Sequence, residues 1–450
     1  MKKTTDMTVG NPTKHIVSFA IPLLLTNIGQ QLYMIADAAI VGRGVGVKAL
    51  AAVGSTDWCY WLILWTVTGL TQGFSTFVSR YFGEKNYRDM NKVIAMSTIL
   101  CTIIGGTLTI IGLIIARPLL NLLHTPEDII NSATIYLVTM ISGTLIVTAY
   151  NMAGSILRAF GDGKTPLIAM IIAALLNIGL DCLFVFTFQW GIFGAAFASI
   201  LAQLVSFLFC FWKIQKIDCV HIERSMWHLD GEIIKNLITF GLPLAIQYII
   251  IALGGVFLQS SVNLQGSIFV AGYTATNKVY GLLECSATAL GTACCTFSAQ
   301  NYGAGKYLRL KQGVRTSLKL VILMAIFVLT LILLFRKSLL QLFLNTNEAG
   351  GPQALEIAVR YLTIMAVFLV ILFLLHIYRN ALQAMEISFW SMMSGLAECI
   401  CRIFMAKIVI HRMGSDALFA SEPVAWTAAL LLVMLPYFYY KRRILDQEVP

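Results

Sequence analysis

The chain reads as an all-α polytopic membrane protein, with twelve transmembrane helices in two pseudo-symmetric six-helix bundles. Three observations predict this. Of 450 residues, 58% are apolar and only 12% charged, with a mean hydropathy of +0.79, whereas soluble domains carry about 25% charged residues. Apolar runs of membrane length, about 20 residues each, recur at approximately 15–41, 50–78, 93–116, 129–157, 165–187, 191–213, 234–262, 268–299, 315–335, 355–384, 388–410 and 418–440. The second half also repeats the first: HIVSFAIPLL (15–24) aligns with NLITFGLPLA (236–245), and YFGEKNY (81–87) with NYGAGKY (301–307). Further on, Tyr136-Leu137 aligns with Tyr361-Leu362, and Leu157 and Ala159 with Leu382 and Ala384. Six spans per copy is an even number, so both copies enter from the same side and the repeat is parallel. The domains expected are an N-terminal lobe at 1–213, a polar cytoplasmic linker at 214–233 and a C-terminal lobe at 234–450.

Charge distribution sets orientation and excludes a class of partner. The net charge of +10 comes from Lys and Arg in short clusters between apolar runs, so nucleic acid is not an expected partner. Alternate loops hold about 22 basic residues on the side of both termini and about 6 on the other, which by the positive-inside rule makes both termini cytoplasmic. The first apolar run is longer than a signal-peptide core of about 7 to 15 residues, so it is expected to be retained. The ten Cys lie mostly inside apolar runs without metal-type spacing and read as small hydrophobes, not as a disulfide or metal framework.

Taken in order, the first span carries Asp37 in the middle of NIGQQLYMIADAAIVGRGVG (27–46). A central Asp costs roughly 2.5 to 3.5 kcal/mol on insertion scales, so it marks a functional group that faces a cavity or a partner. Gln30, Tyr33 and Asp37 fall on one helical face. Pro22 in the first span and Pro243 in the seventh occupy equivalent points, where a lost backbone hydrogen bond permits a kink. The fourth span offers Tyr150, Asn151, Ser155 and Arg158 at helical spacing, the fifth stacks Asn177 over Asp181, and the sixth presents Ser199. Two Asp with Asn and hydroxyl groups form an oxygen-rich set that suits a hard cation, or that holds a proton where burial and like charge disfavour ionisation. Cross-helix hydrogen bonding, worth about 0.6 kcal/mol a pair, is the plainer account of Asn151 and Ser199, but acids are a costly way to glue helices.

In the second half, Glu284 interrupts an apolar run on the eighth span, and could attract an organic cation or sit as a rim carboxylate. Glu398 and Arg402 on the eleventh span are four apart, an orientation that favours a structural ion pair within one helix. No HExxH, GxSxG or GxxxxGK[ST] motif occurs, so no metalloprotease, hydrolase or ATP-driven pump is encoded and no catalytic residue is assigned. Energy must then come from an ion gradient.

At this point the chain resembles the multidrug and toxic compound extrusion (MATE) transporters. The segments that carry the resemblance are MIADAAIVGRGVGVKALAAVG (34–54), LRAFGDGKTP (157–166), LLNIGLDCLFVF (175–186), GAAFAS (194–199) and FSAQNYGAGKYLRLKQGV (297–314). With no secretory or organelle signal in the sequence, the expected location is a bacterial inner (plasma) membrane, multi-pass; the resemblance implies a V-shaped pair of six-helix lobes. It also implies an antiporter that exports organic, cationic drugs or toxic compounds by alternating access in exchange for H⁺ or Na⁺. In the branch with an N-lobe acidic cation site, the matching positions are Asp37, Asn151, Asn177 and Asp181, with Ser199 in place of a threonine and Ala38 where the family often has a hydroxyl residue. Gln30, Tyr33, Tyr150 and Glu284 are the candidates for a substrate cavity. No cofactor is expected beyond the coupling ion, and no metal beyond Na⁺ in that role. The partners expected are a small organic substrate and membrane lipid, with the chain a monomer. The alternatives are a lipid-linked saccharide flippase of the wider superfamily, which calls for a basic cavity where this chain has acids, and an integral-membrane enzyme, which calls for a nucleophile and base or metal ligands at one depth.

Overall fold

A computed structural model describes residues 4–123, 125–344 and 350–445, the side chains of Val47, Asp57, Trp58 and Leu445 aside. Among the described residues there is no strand. The helices are α1 (Pro12–Gly44), α2 (Val47–Glu84), α3 (Tyr87–Leu122), α4 (Ile130–Ser142), α5 (Thr144–Ala159), α6 (Lys164–Asp181), α7 (Gly191–Ile214), α8 (Gly231–Asn263), α9 (Ser267–Gly303), α10 (Tyr307–Gln341), α11 (Gly351–Ala384), α12 (Phe389–Phe404), α13 (Ile410–Met413) and α14 (Asp416–Tyr440). Each of the twelve predicted spans is helical, the fourth being α4 and α5 joined at a 46° bend. Among the described residues, eight helices are long and apolar enough to cross a membrane by themselves, nine with that bent pair. The three passes that fall short are α2 and α9, rich in Gly, Ser and Thr, and α12, which has 16 residues and holds Glu398 and Arg402.

The chain divides into two compact units, Met1–Asp6 with Leu25–Ala245, and Met7–Leu24 with Ile246–Pro450. The division falls inside α1 and α8 and not at the 214–233 linker, and the packing says why. In the first unit, Leu237, Phe240 and Leu244 of α8 join an apolar core with Leu70, Phe74 and Val78 of α2. A Cβ added at Gly69 or Gly73 would stand 2.8 Å from the Cα of Ala245 or Gly241, so two small-xxx-small faces let these helices meet backbone to backbone. The linker belongs to the same unit: Asn91 Nδ2 donates to Cys219 O at 3.0 Å, and Asn91 Oδ1 accepts from His221 N at 3.2 Å. In the second unit, Met7, Ile16, Phe19 and Leu23 join the core of α9, α10 and α11. Met7 N donates to Gln300 Oε1 at 2.9 Å, and Arg309 Nη2 donates to Met7 O at 3.1 Å.

The internal repeat extends to backbone geometry. Positive φ recurs at Gly46 and Gly266 (113° and 90°), Lys85 and Gly305 (61° and 67°), Gly161 and Glu386 (71° and 62°), and Gln189 and Gly414 (55° and 60°). The members of each pair stand 220 or 225 residues apart, the offsets of the sequence repeat. Left-handed residues end helices because the turn satisfies the last orphan carbonyls. Lys85 does so for α2, its N–H donating to Phe82 O at 3.2 Å.

Candidate functional site

The candidate site lies within the first unit, where α1, α2, α6 and α7 supply one polar cluster. Tyr33 and Asp37, four apart on α1, lie one turn above the other, as do Asn177 and Asp181 on α6. Asn177 and Asp181 are fully buried and Ser199 is nearly so. Ser199 Oγ on α7 is shared: Tyr33 Oη lies 3.1 Å from it, and Asn177 Nδ2 donates to it at 3.1 Å. The Asp37 and Asp181 carboxyls are hydrogen-bonding neighbours, and Tyr33 stands within electrostatic reach of both and of Tyr60 on α2. Asp37 Oδ1 is buried with no hydrogen-bond partner among the described residues, so that oxygen is free to accept a proton or a cation. Directly after Asp181 the helix widens into a π-helical segment, Cys182–Thr187, a distortion that often accompanies functional sites.

Other sequence-predicted residues make different contacts. Asn151 donates through Nδ2 to Val147 O at 2.9 Å, a bond along its own helix. Tyr150 packs against the apolar core that contains Met152, Ile156 and Cys210, and Gln30 is exposed. Pro22 and Pro243 lie inside α1 and α8, both of which continue as helix beyond them. Glu284 belongs to the second unit, where its Oε1 lies 3.7 Å from His376 Nε2.

Glu398 and Arg402 lie 3.4 Å apart, but within a larger charge set. Glu398 also meets Arg379 at 2.5 Å, Arg402 also meets Glu422 at 2.9 Å, and all four side chains are at most 12% exposed. At the repeat offset of 225 residues, Arg402 stands where the first half has Asn177, and Ala406 where it has Asp181. The second unit thus fills the equivalent depth with a neutral quartet. Arg379, Glu422, His376 and Tyr60 are the participants sequence reasoning missed. Arg379 and His376 each interrupt the apolar run of α11, and that was the available signal.

Chemically, the cluster offers two carboxyls and neutral oxygens from Ser199, Tyr33 and Asn177. No group of three or more His, Cys, Asp or Glu side chains able to hold a metal occurs among the described residues. Such a donor set suits a proton or a monovalent hard cation better than a transition metal.

A model of the MatE family matches residues 22–183 and 243–437. The chain belongs to the MatE family. It is 28% identical to the probable multidrug resistance protein YoeA of Bacillus subtilis over 94% of this chain and 92% of that one. With the probable multidrug resistance protein YpnP of the same organism it shares 30% identity over 81% of each. The solved outward-facing structure of a multidrug resistance MATE family transporter superposes with a TM-score of 0.90 at 25% identity, over 99% of each chain. As a MatE member with its many membrane-length helices, the chain is a multi-pass membrane protein of the transporter class.

Proposed function

We propose that this MatE protein is a secondary antiporter that exports organic, cationic compounds in exchange for H⁺ or Na⁺ by alternating access, and that the Asp37–Asp181 pair is its coupling site. The observation that carries the reading is that two intramembrane carboxyls are direct neighbours, one of them fully buried. Two such groups cannot both stay ionised side by side without a proton or cation between them. Loading the pair removes negative charge from the site, and unloading restores it. Substrate and ion then need only prefer different states of the protein for their fluxes to couple. Ser199, Tyr33 and Asn177 hold the α6 and α7 oxygens in place, and Pro22 gives α1 a weakened point at which charge state becomes movement. The names of the relatives, probable multidrug resistance proteins, support organic compounds as the substrate class.

The reading is tested with the purified chain in liposomes and a fluorescent organic cation, under a pH gradient and a Na⁺ gradient imposed separately. Flux that follows at least one gradient and is lost in Asp37→Asn and Asp181→Asn supports it. Flux at the wild-type rate in both correctly inserted variants sinks it, and ion-independent behaviour toward several cations points to the flippase instead.

A further inference from the structure

A second feature of the first unit is unused by this mechanism. Arg158 sits in the last turn of α5, next to the loop Phe160–Gly163, where a long cationic side chain normally snorkels outward to water. It does the opposite. Its Nη2 donates to Ser155 Oγ at 2.7 Å, one turn back into the span, and Nη1 lies so close over Gly154 that a Cβ there would stand 3.3 Å away. Its electrostatic neighbours are the Tyr150 hydroxyl, two turns back, and the Cys210 thiol on α7. The nearest acid in sequence, Asp162, is engaged elsewhere: its Oδ1 accepts from Lys164 N and Thr165 N, each at 3.0 Å, and its Oδ2 from the Thr165 hydroxyl.

A guanidinium has five donors in a planar fork matched to carboxylate and phosphate, and holding it turned inward without an acid is costly. Ser155 is 2% exposed and Arg158 is only partly buried, so the hydroxyl is held in place beside the guanidinium. We propose that Arg158, Ser155 and Tyr150 form a receptor for an oxyanion, the carboxylate or phosphate of a dissolved compound or of a phospholipid headgroup. Tyr150 packs on the core that includes Ile156 and Cys210, whereas Tyr60, beside Tyr33 of the acid cluster, packs on the other core of this unit, with Val41 and Val185.

The test uses the full chain in nanodiscs of neutral lipid, with thermal unfolding followed as inorganic phosphate is titrated. A parallel arm omits phosphate and replaces part of the lipid with an anionic phospholipid. Wild type should be stabilised in at least one arm, and Arg158→Gln should need at least tenfold more anion for the same shift, with Arg158→Lys in between. If Arg158→Gln does not fold, Gly154→Ala, which crowds the guanidinium without removing its charge, should weaken the response. A response to phosphate assigns a dissolved anion, and one confined to the lipid arm assigns a headgroup. No stabilisation of wild type in either arm, or equal stabilisation of wild type and a folded variant, overturns the proposal.

Discussion

Ser199 is the residue on which the acid cluster turns, because one hydroxyl serves both Tyr33 from α1 and Asn177 from α6. Replacing it with Ala removes the hydrogen bond that each of them makes to it. At about 0.5 to 1.5 kcal/mol for each hydrogen bond lost, Ser199→Ala should lower the unfolding temperature measurably, while Ser199→Thr, which keeps the hydroxyl, should stay near wild type. Asp37→Asn should leave the fold intact but reduce gradient-driven transport by roughly tenfold or more, the scale of typical coupling free energies, as read in the liposome assay. Asp37 and Asp181 are legible in the sequence because an acid in an apolar run has no cheap structural explanation. Tyr60 was not, since a Tyr among Trp and Leu residues reads as packing. Asn151 was singled out by its polar side chain at helical spacing, with the family resemblance added to that, and in the structure its amide donates to the Val147 carbonyl, a partner that spacing cannot reveal.

At the level of elements, α11, α12 and α14 are joined by the quartet Arg379, Glu398, Arg402 and Glu422. Removing one member leaves a buried charge uncompensated, so Glu398→Gln should cost about 3 to 5 kcal/mol, checked by thermal or denaturant unfolding of the purified protein. The i, i+4 pair was readable from spacing, but its partners on other helices were not, because sequence fixes a residue's face on its own helix and not the neighbour that face meets. The turn between α9 and α10 depends on Gly305 at φ 67°, with nothing within 4 Å of an added Cβ. The loss in Gly305→Ala is therefore conformational alone, about 1 kcal/mol, and should appear in the same unfolding experiment. Lys85 holds the equivalent place with φ 61°, so Lys85→Gly should shift stability in the opposite direction.

Across the whole molecule, duplication organises the backbone but not the chemistry. Helix bounds, the pair Pro22 and Pro243, and four pairs of left-handed residues recur between the halves, yet the Asp37–Asp181 pair stands in the first unit and the neutral quartet in the second. The twelve helical passes and the repeat were legible because apolar length and motif spacing survive in the sequence. The partition into units at Leu24 and Ala245 was not, because it follows from where the two halves of α1 and α8 pack. If ion and substrate compete through the Asp37–Asp181 pair, substrate binding must depend on the ion through these two residues. In substrate binding to the purified protein, measured across pH and across Na⁺ concentration, affinity should fall as at least one of the two ions rises in wild type and stay flat in the Asp37→Asn and Asp181→Asn variants. Unchanged ion dependence in both variants would refute that competition.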